Sequence, residues 1–195
     1  FDHIVRMVLT LNSQFYRLIE IPEFTFGFIG AGLALLGTAM PRVGKELVKR
    51  KGKAANFLIL AVSIFSGLFL MSRFVPYWSA LPMALVYAGI FLNGYFVSHY
   101  LNRITDSSHR ATVLSFKGLS FNLAYGAIGY IYATAIARLR DLDTYSQLSE
   151  DEQQRQLFET VFSWFPYYFL ALAVVAFLFG AYKLKGADAP DKTTS

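Results

Sequence analysis

Residues 41–53 read PRVGKELVKRKGK, six Lys or Arg against the single acid Glu46, and charge-free apolar runs flank them at 24–40 and 54–72. A basic hairpin between two membrane-length segments orients a chain, because positively charged loops stay on the cytoplasmic side of a bilayer. The stretch therefore predicts that 42–53 is cytoplasmic, and alternation then assigns a side to every other loop.

The composition agrees with that reading. Apolar residues make up 55% of the 195 and charged residues 16%, and the apolar ones fall in blocks rather than in helical or strand alternation. Five uncharged runs, 24–40, 54–72, 74–102, 118–137 and 160–182, follow one another. Each approaches the roughly 20 helical residues that cross a hydrocarbon core of about 30 Å. The net charge of +5 sits in alternate loops beside apolar spans, so it reports topology and does not point to a nucleic-acid partner. With no cysteine there is no disulfide framework, thiolate metal site or Cys nucleophile. The chain opens at Phe1 with no visible signal peptide, and the expectation is a piece of something longer.

In chain order, 1–19 carries apolar residues to one side at helical spacing, with Asp2, His3, Arg6, Asn12 and Gln14 on a wet face. The expected membrane helices are 1–19, 23–41, 54–72, 78–99, 113–137 and 160–183. The third is the most lipophilic, whereas the first, fourth and fifth hold nearly all the polar groups. The loop after the fourth, through Arg103, Asp106, Arg110 and Lys117, is net basic and expected inside. The loop 138–159 holds six acids against three Arg and is expected outside, with a short surface helix over 148–158 after the cap-like Ser149. A polar tail, 186–195, is expected to be disordered in the cytoplasm. The fold class is an all-α membrane protein of six transmembrane helices in one domain, 1–185.

Two stretches resemble the major facilitator superfamily of transporters, and the resemblance covers essentially the whole chain. Residues 41–53 are similar to the family's loop between helices eight and nine, itself an echo of its G-x-x-x-D-R-x-G-R-K pattern. With Arg50, Gly52 and Lys53 in the last positions, Lys49 replaces the acid and Lys45 the first Gly, so the copy is degenerate. Residues 100–115, YLNRITDSSHRATVLS, look like the connection between helices ten and eleven in bacterial drug-exporter-like members, where R-A-T-x-x-S opens helix eleven. The resemblance implies the C-terminal half, two inverted three-helix repeats, a bacterial inner membrane, and a partner in the N-terminal six-helix half of the same polypeptide. It also implies substrate bound near the midplane between halves.

An ionisable group inside a membrane is functional by default, since leaving it there costs several kcal/mol. Asp2 and Arg6, at i and i+4, are expected to pair as a cavity or proton-handling site, with a salt bridge near the cytoplasm as the alternative. Asn12, Gln14, Asn93, Tyr95, Asn122 and Tyr125 complete the candidate substrate-facing set, although Asn and Gln equally tie helices together. Arg42, Lys49, Arg50, Arg103 and Arg110 are the candidate gating or cytoplasmic-loop residues, with lipid-headgroup anchoring the competing role. His3 and His109 are too scattered for a metal site, and no cofactor or catalytic residue is expected. The function expected is secondary transport by alternating access, exporting a small organic solute in exchange for protons. The alternative is a stand-alone six-helix membrane protein with a structural or assembly role.

Overall fold

The computed structural model describes residues 1–187, and all regular structure among them is helical. The helices are α1 (Asp2–Thr10), α2 (Asn12–Leu18), α3 (Phe26–Arg50), α4 (Lys53–Met71), α5 (Met83–Ile104), α6 (Arg110–Arg140), α7 (Asp143–Ser146) and α8 (Glu150–Ala187). Short 3₁₀ turns at Glu23–Thr25 and Trp78–Ala80 lead into α3 and α5. Among the described residues four segments are long and apolar enough to cross a membrane: Glu23–Arg50, Lys53–Met71, Trp78–Ile104 and Glu150–Tyr182. They are compatible with an integral membrane protein.

The other two expected spans are helical but differ in character. The first is split at Leu11, whose N–H reaches the carbonyls of both Met7 and Val8 at 3.1 Å. Thr10 donates its hydroxyl to the Arg6 carbonyl one turn back, 3.0 Å away, and such back-bonding bends helices. The second, α6, has 31 residues, about 46 Å at 1.5 Å per residue, but Ser120, Asn122 and three Tyr dilute its apolar character.

Three boundaries are corrected. Residues 41–53 are not a hairpin loop: α3 continues through Pro41 to Arg50, and only Lys51 and Gly52 connect it to α4. Lys, Glu, Arg and Leu are good helix formers, so charge alone does not end a helix. Glu46 and Arg50 form an i,i+4 pair at 2.5 Å along that extension. The expected loop after the fourth span shrinks likewise to 105–109, between α5 and α6. Finally, 148–158 is no separate surface helix but the start of the 38-residue α8, with the Ser149 hydroxyl accepting the Glu152 N–H at 3.4 Å. The expected tail falls, apart from residues 186 and 187 in α8, outside the described residues.

The packing is built around α5, which lies against both α3 and α4, while α1 lies against α6 and α5. The α4–α5 contact is reciprocal. Gly67 of α4 receives Val86, whose Cγ2 lies 2.6 Å from where a Cβ would stand, and Gly89 of α5 receives Ile64. On the other side, Gly37 and Gly44 of α3 receive the rings of Phe91 and Tyr95. Small residues at these crossings let helices approach closely where lipid supplies no hydrophobic drive. Asn56 Nδ2 donates to the Tyr100 hydroxyl at 2.9 Å, joining the start of α4 to the end of α5. At the opposite end the Tyr77 N–H reaches the Ile19 carbonyl at 2.8 Å, and Phe15, Phe74 and Phe162 meet with centroids 5.1 to 6.2 Å apart.

Candidate functional site

Helices α1 and α2 present two faces. Ile4, Val5, Val8, Phe15 and Ile19 are buried, whereas Arg6, Thr10, Ser13, Gln14 and Arg17 recur three or four residues apart along the side facing out. Along the apolar stretches of α4 and α8 the outward faces differ, with Leu58, Ile59, Val62 and Leu70 on α4 and Leu170, Val174, Val175 and Leu178 on α8.

The stripe meets α6 in a polar seam. Arg6 Nε lies 2.6 Å from Asp2 Oδ2, and its Nη1 donates to Asn122 Oδ1 at 3.2 Å. Thr10 and Tyr125 share a hydroxyl contact of 2.8 Å. Lys117, two turns into α6, donates to Ser98 of α5 at 3.0 Å. Both cations border the Phe121 ring, with Arg6 Cζ 6.0 Å and Lys117 Nζ 5.8 Å from its centroid. Lys117, Phe121 and Tyr125 share one face of α6 because they are four residues apart. Asp2 is nearly covered, its side chain 10% exposed, while that of Arg6 is 39% exposed. Among the described residues Asp2 Oδ2 has no hydrogen bond, so the pair is held by charge.

Asp2, Arg6, Asn122 and Tyr125 are thus brought together, and Thr10, Lys117 and Phe121 join them. The last three were not singled out from sequence. Lys117 reads there as one more cation of the basic loop, at the edge of the expected helix 113–137, whereas α6 begins at Arg110 and sets it two turns inside the helix.

The remaining candidates lie apart from the seam. Asn12 Nδ2 donates to the Tyr87 hydroxyl at 2.6 Å, which ties α2 to α5. Gln14 lies at the far end of the stripe, in a cleft of about 390 Å³ shared with Arg17, Glu20, Asp151 and Arg155. Asn93 is buried and lines a cavity of about 530 Å³ walled by Phe57, Val97, Phe121 and Phe177, with Asp2 and Lys53 as its charged members. Tyr95 points the other way, covering Gly44 and stacking on His99 with centroids 5.9 Å apart. Arg42, Lys49 and Arg50 are exposed on the last turns of α3. Arg103 and Arg110 are exposed where α5 ends and α6 begins, and neither forms an ion pair among the described residues. His3 is drawn to α8, its Nε2 3.2 Å from the Tyr168 hydroxyl. No group of three His, Asp or Glu among the described residues could hold a metal ion.

No protein-family model, curated protein or solved structure matches this chain.

Proposed function

We propose that the chain is one six-helix half of a secondary active transporter of the major facilitator type, in which the seam lines an aqueous path shared with a second half. In this reading α1 with α2, and α6, are the fifth and sixth spans of the bundle beside the four apolar ones. The carrying observation is the depth and exposure of the Arg6 seam. Asn122 follows Arg110 by 12 residues, about 18 Å along α6 at 1.5 Å per residue, so its partner Arg6 sits far from either end of that helix. An Arg at the centre of a bilayer-spanning helix costs about 3 kcal/mol or more when it faces lipid. An exposed one at that depth is accounted for if water and protein cover it.

The helix pairing supports the same reading. Taken as triplets, α1/α2–α3–α4 and α5–α6–α8, the first helix of each packs on the second of the other, α1 on α6 and α5 on α3. That interlocking is what two inverted repeats would give. The transported species is a small organic solute moved outward against protons. Asp2, the sole carboxylate on α1, α2, α5 and α6, is the proton-handling group. The basic ends of α3 and α5, and the start of α6 at Arg110, face the cytoplasm of a bacterial inner membrane.

Thiol accessibility in the native, membrane-embedded polypeptide tests the aqueous path without knowing the substrate. With all other cysteines replaced, Thr10→Cys and Ser13→Cys should react with a hydrophilic methanethiosulfonate, while Val62→Cys on α4 should not. Equal inertness at all three positions would remove the transporter reading. A native polypeptide no longer than this chain would favour the structural role instead.

A further inference from the structure

We infer that the substrate taken at the seam is an organic anion, its charged group held between Arg6 and Lys117 and its apolar body directed toward the cavity behind Phe121. The inference rests on the transporter reading and adds the chemical class that such a carrier would select.

Charge is the first ground. The ionised groups of the seam are Asp2, Arg6 and Lys117, one negative and two positive, which leaves a surplus of one positive charge. No Asp or Glu occurs anywhere in α4, α5 or α6, and the acids of α8, Glu150, Asp151, Glu152 and Glu159, stand in its first ten residues, whereas Ala176, Phe177, Gly180 and Ala181 are the part of α8 that lines the cavity. Lys117 accordingly has a neutral partner, the Ser98 hydroxyl. Lys53, at the rim of the cavity, adds a further positive charge. His3, the other titratable side chain on α1, turns away to Tyr168.

Donor capacity is the second. Arg6 turns Nε to the Asp2 carboxylate as an ion pair and donates Nη1 to Asn122, so of the five N–H groups of a guanidinium most remain to meet an incoming oxyanion. Lys117 commits one of its three to Ser98. Both cations border the same aromatic ring, and a partly desolvated cation beside an aromatic face suits a flat, charged ligand. The adjoining cavity of about 530 Å³, which shares Asp2 and Phe121 with the seam, is of the size and apolar lining that holds small organic ligands.

A cationic substrate fits poorly. The one carboxylate that could receive it, Asp2, has a side chain only 10% exposed and already engaged by Arg6. An anion, by contrast, competes with Asp2 for Arg6. Neutralising Asp2 must then strengthen anion binding, and misfolding cannot imitate that gain.

The test uses the whole native polypeptide, purified for equilibrium binding and reconstituted in vesicles for uptake, with three radiolabelled probes that share a phenyl ring. These are benzenesulfonate, phenyltrimethylammonium and phenyl glucoside. Benzenesulfonate should bind saturably and the other two should not. Arg6→Gln and Lys117→Gln should each weaken it on the order of tenfold, the value of a hydrogen bond to a charged group. Arg6→Lys should retain part of the affinity, and Asp2→Asn should raise it several-fold. Binding of phenyltrimethylammonium that Asp2→Asn abolishes would overturn the proposal, as would the absence of saturable benzenesulfonate binding. Uptake of the cation alone leaves a transporter of the wrong charge class, whereas anion binding without uptake upholds the site and removes the transporter reading.

Discussion

Asn12 and Asn56 have the same residue type as Asn122 and a different task. Asn56 is fully buried, and its amide bridges α4 to the Tyr100 hydroxyl. Asn12 bridges α2 to Tyr87, and in both the side-chain Oδ1 is buried without a partner. Each amide therefore joins two helices at the cost of one unsatisfied acceptor. Interhelical hydrogen bonds in membranes contribute about 0.6 kcal/mol on average and at most about 1.7. Asn56→Leu and Tyr87→Phe are accordingly expected to lower unfolding free energy in detergent by about 1 kcal/mol, read from the melting midpoint, with ligand affinity unchanged. A shift in affinity with no change in melting would place Tyr87 or Asn56 at the site. Sequence shows an Asn at membrane depth but not which way it points. Asn93 and Tyr95, two residues apart on one helix, face a cavity and a glycine notch respectively.

The glycines fall into two classes that the sequence cannot separate, and the difference is one of helix partners. Gly37, Gly44, Gly67 and Gly89 sit at crossings where a Cβ would collide, and at Gly67 it would stand 3.0 Å from the Pro82 carbonyl oxygen. Gly27, Gly30, Gly32, Gly118, Gly126 and Gly129, on and just around the outward sides of α3 and α6, have nothing within 4 Å of such a Cβ. Gly67→Ala should therefore cost about 1–3 kcal/mol by overpacking. Gly126→Ala should leave stability unchanged or raise it by up to about 1 kcal/mol, the helix-propensity difference. Transport by the whole polypeptide should nonetheless fall in Gly126→Ala, if the open face of α6 is where a second half slides. Thermal melts and vesicle uptake on the same preparations separate the two effects. Helix existence was legible here because apolar runs mark spans: 54–72 lies within one residue of α4 at each end. Helix ends were not, because good helix formers such as Lys, Glu and Arg carry α3 on past Pro41, which itself donates no backbone hydrogen bond, and α8 upstream to Glu150. At the site, the Asp2–Arg6 pair was legible from i,i+4 spacing, and its junction with α6 was not, since residues 116 apart meet only through the fold.

At the scale of the molecule, charge divides the two ends of the bundle. The turns at 51–52 and 105–109 and the helix ends beside them carry Arg42, Lys45, Lys49, Arg50, Lys51, Lys53, Arg103 and Arg110, opposed only by Glu46 and Asp106. The end of α6, α7 and the start of α8 carry Asp141, Asp143, Glu150, Asp151, Glu152 and Glu159 against Arg138, Arg140 and Arg155, a net negative balance. Such a split is what a bilayer selects when α6 crosses it, because basic segments are held on the cytoplasmic side. Helix α6 is also the least apolar of the long helices, so its crossing decides between six spans and fewer. The absence of cysteine from this chain makes the decision direct. Ser108→Cys and Asp143→Cys stand just before and after α6, and both positions are exposed. In intact cells, with the rest of the polypeptide free of cysteine, an impermeant maleimide should label Asp143→Cys at once and Ser108→Cys only after the membrane is opened. Labelling of both from outside, or of neither, would place the two ends of α6 on one side. Arg6 and Asn122 would then lie at an interface rather than at mid-depth, and the argument for an aqueous path would fall with the sixth crossing.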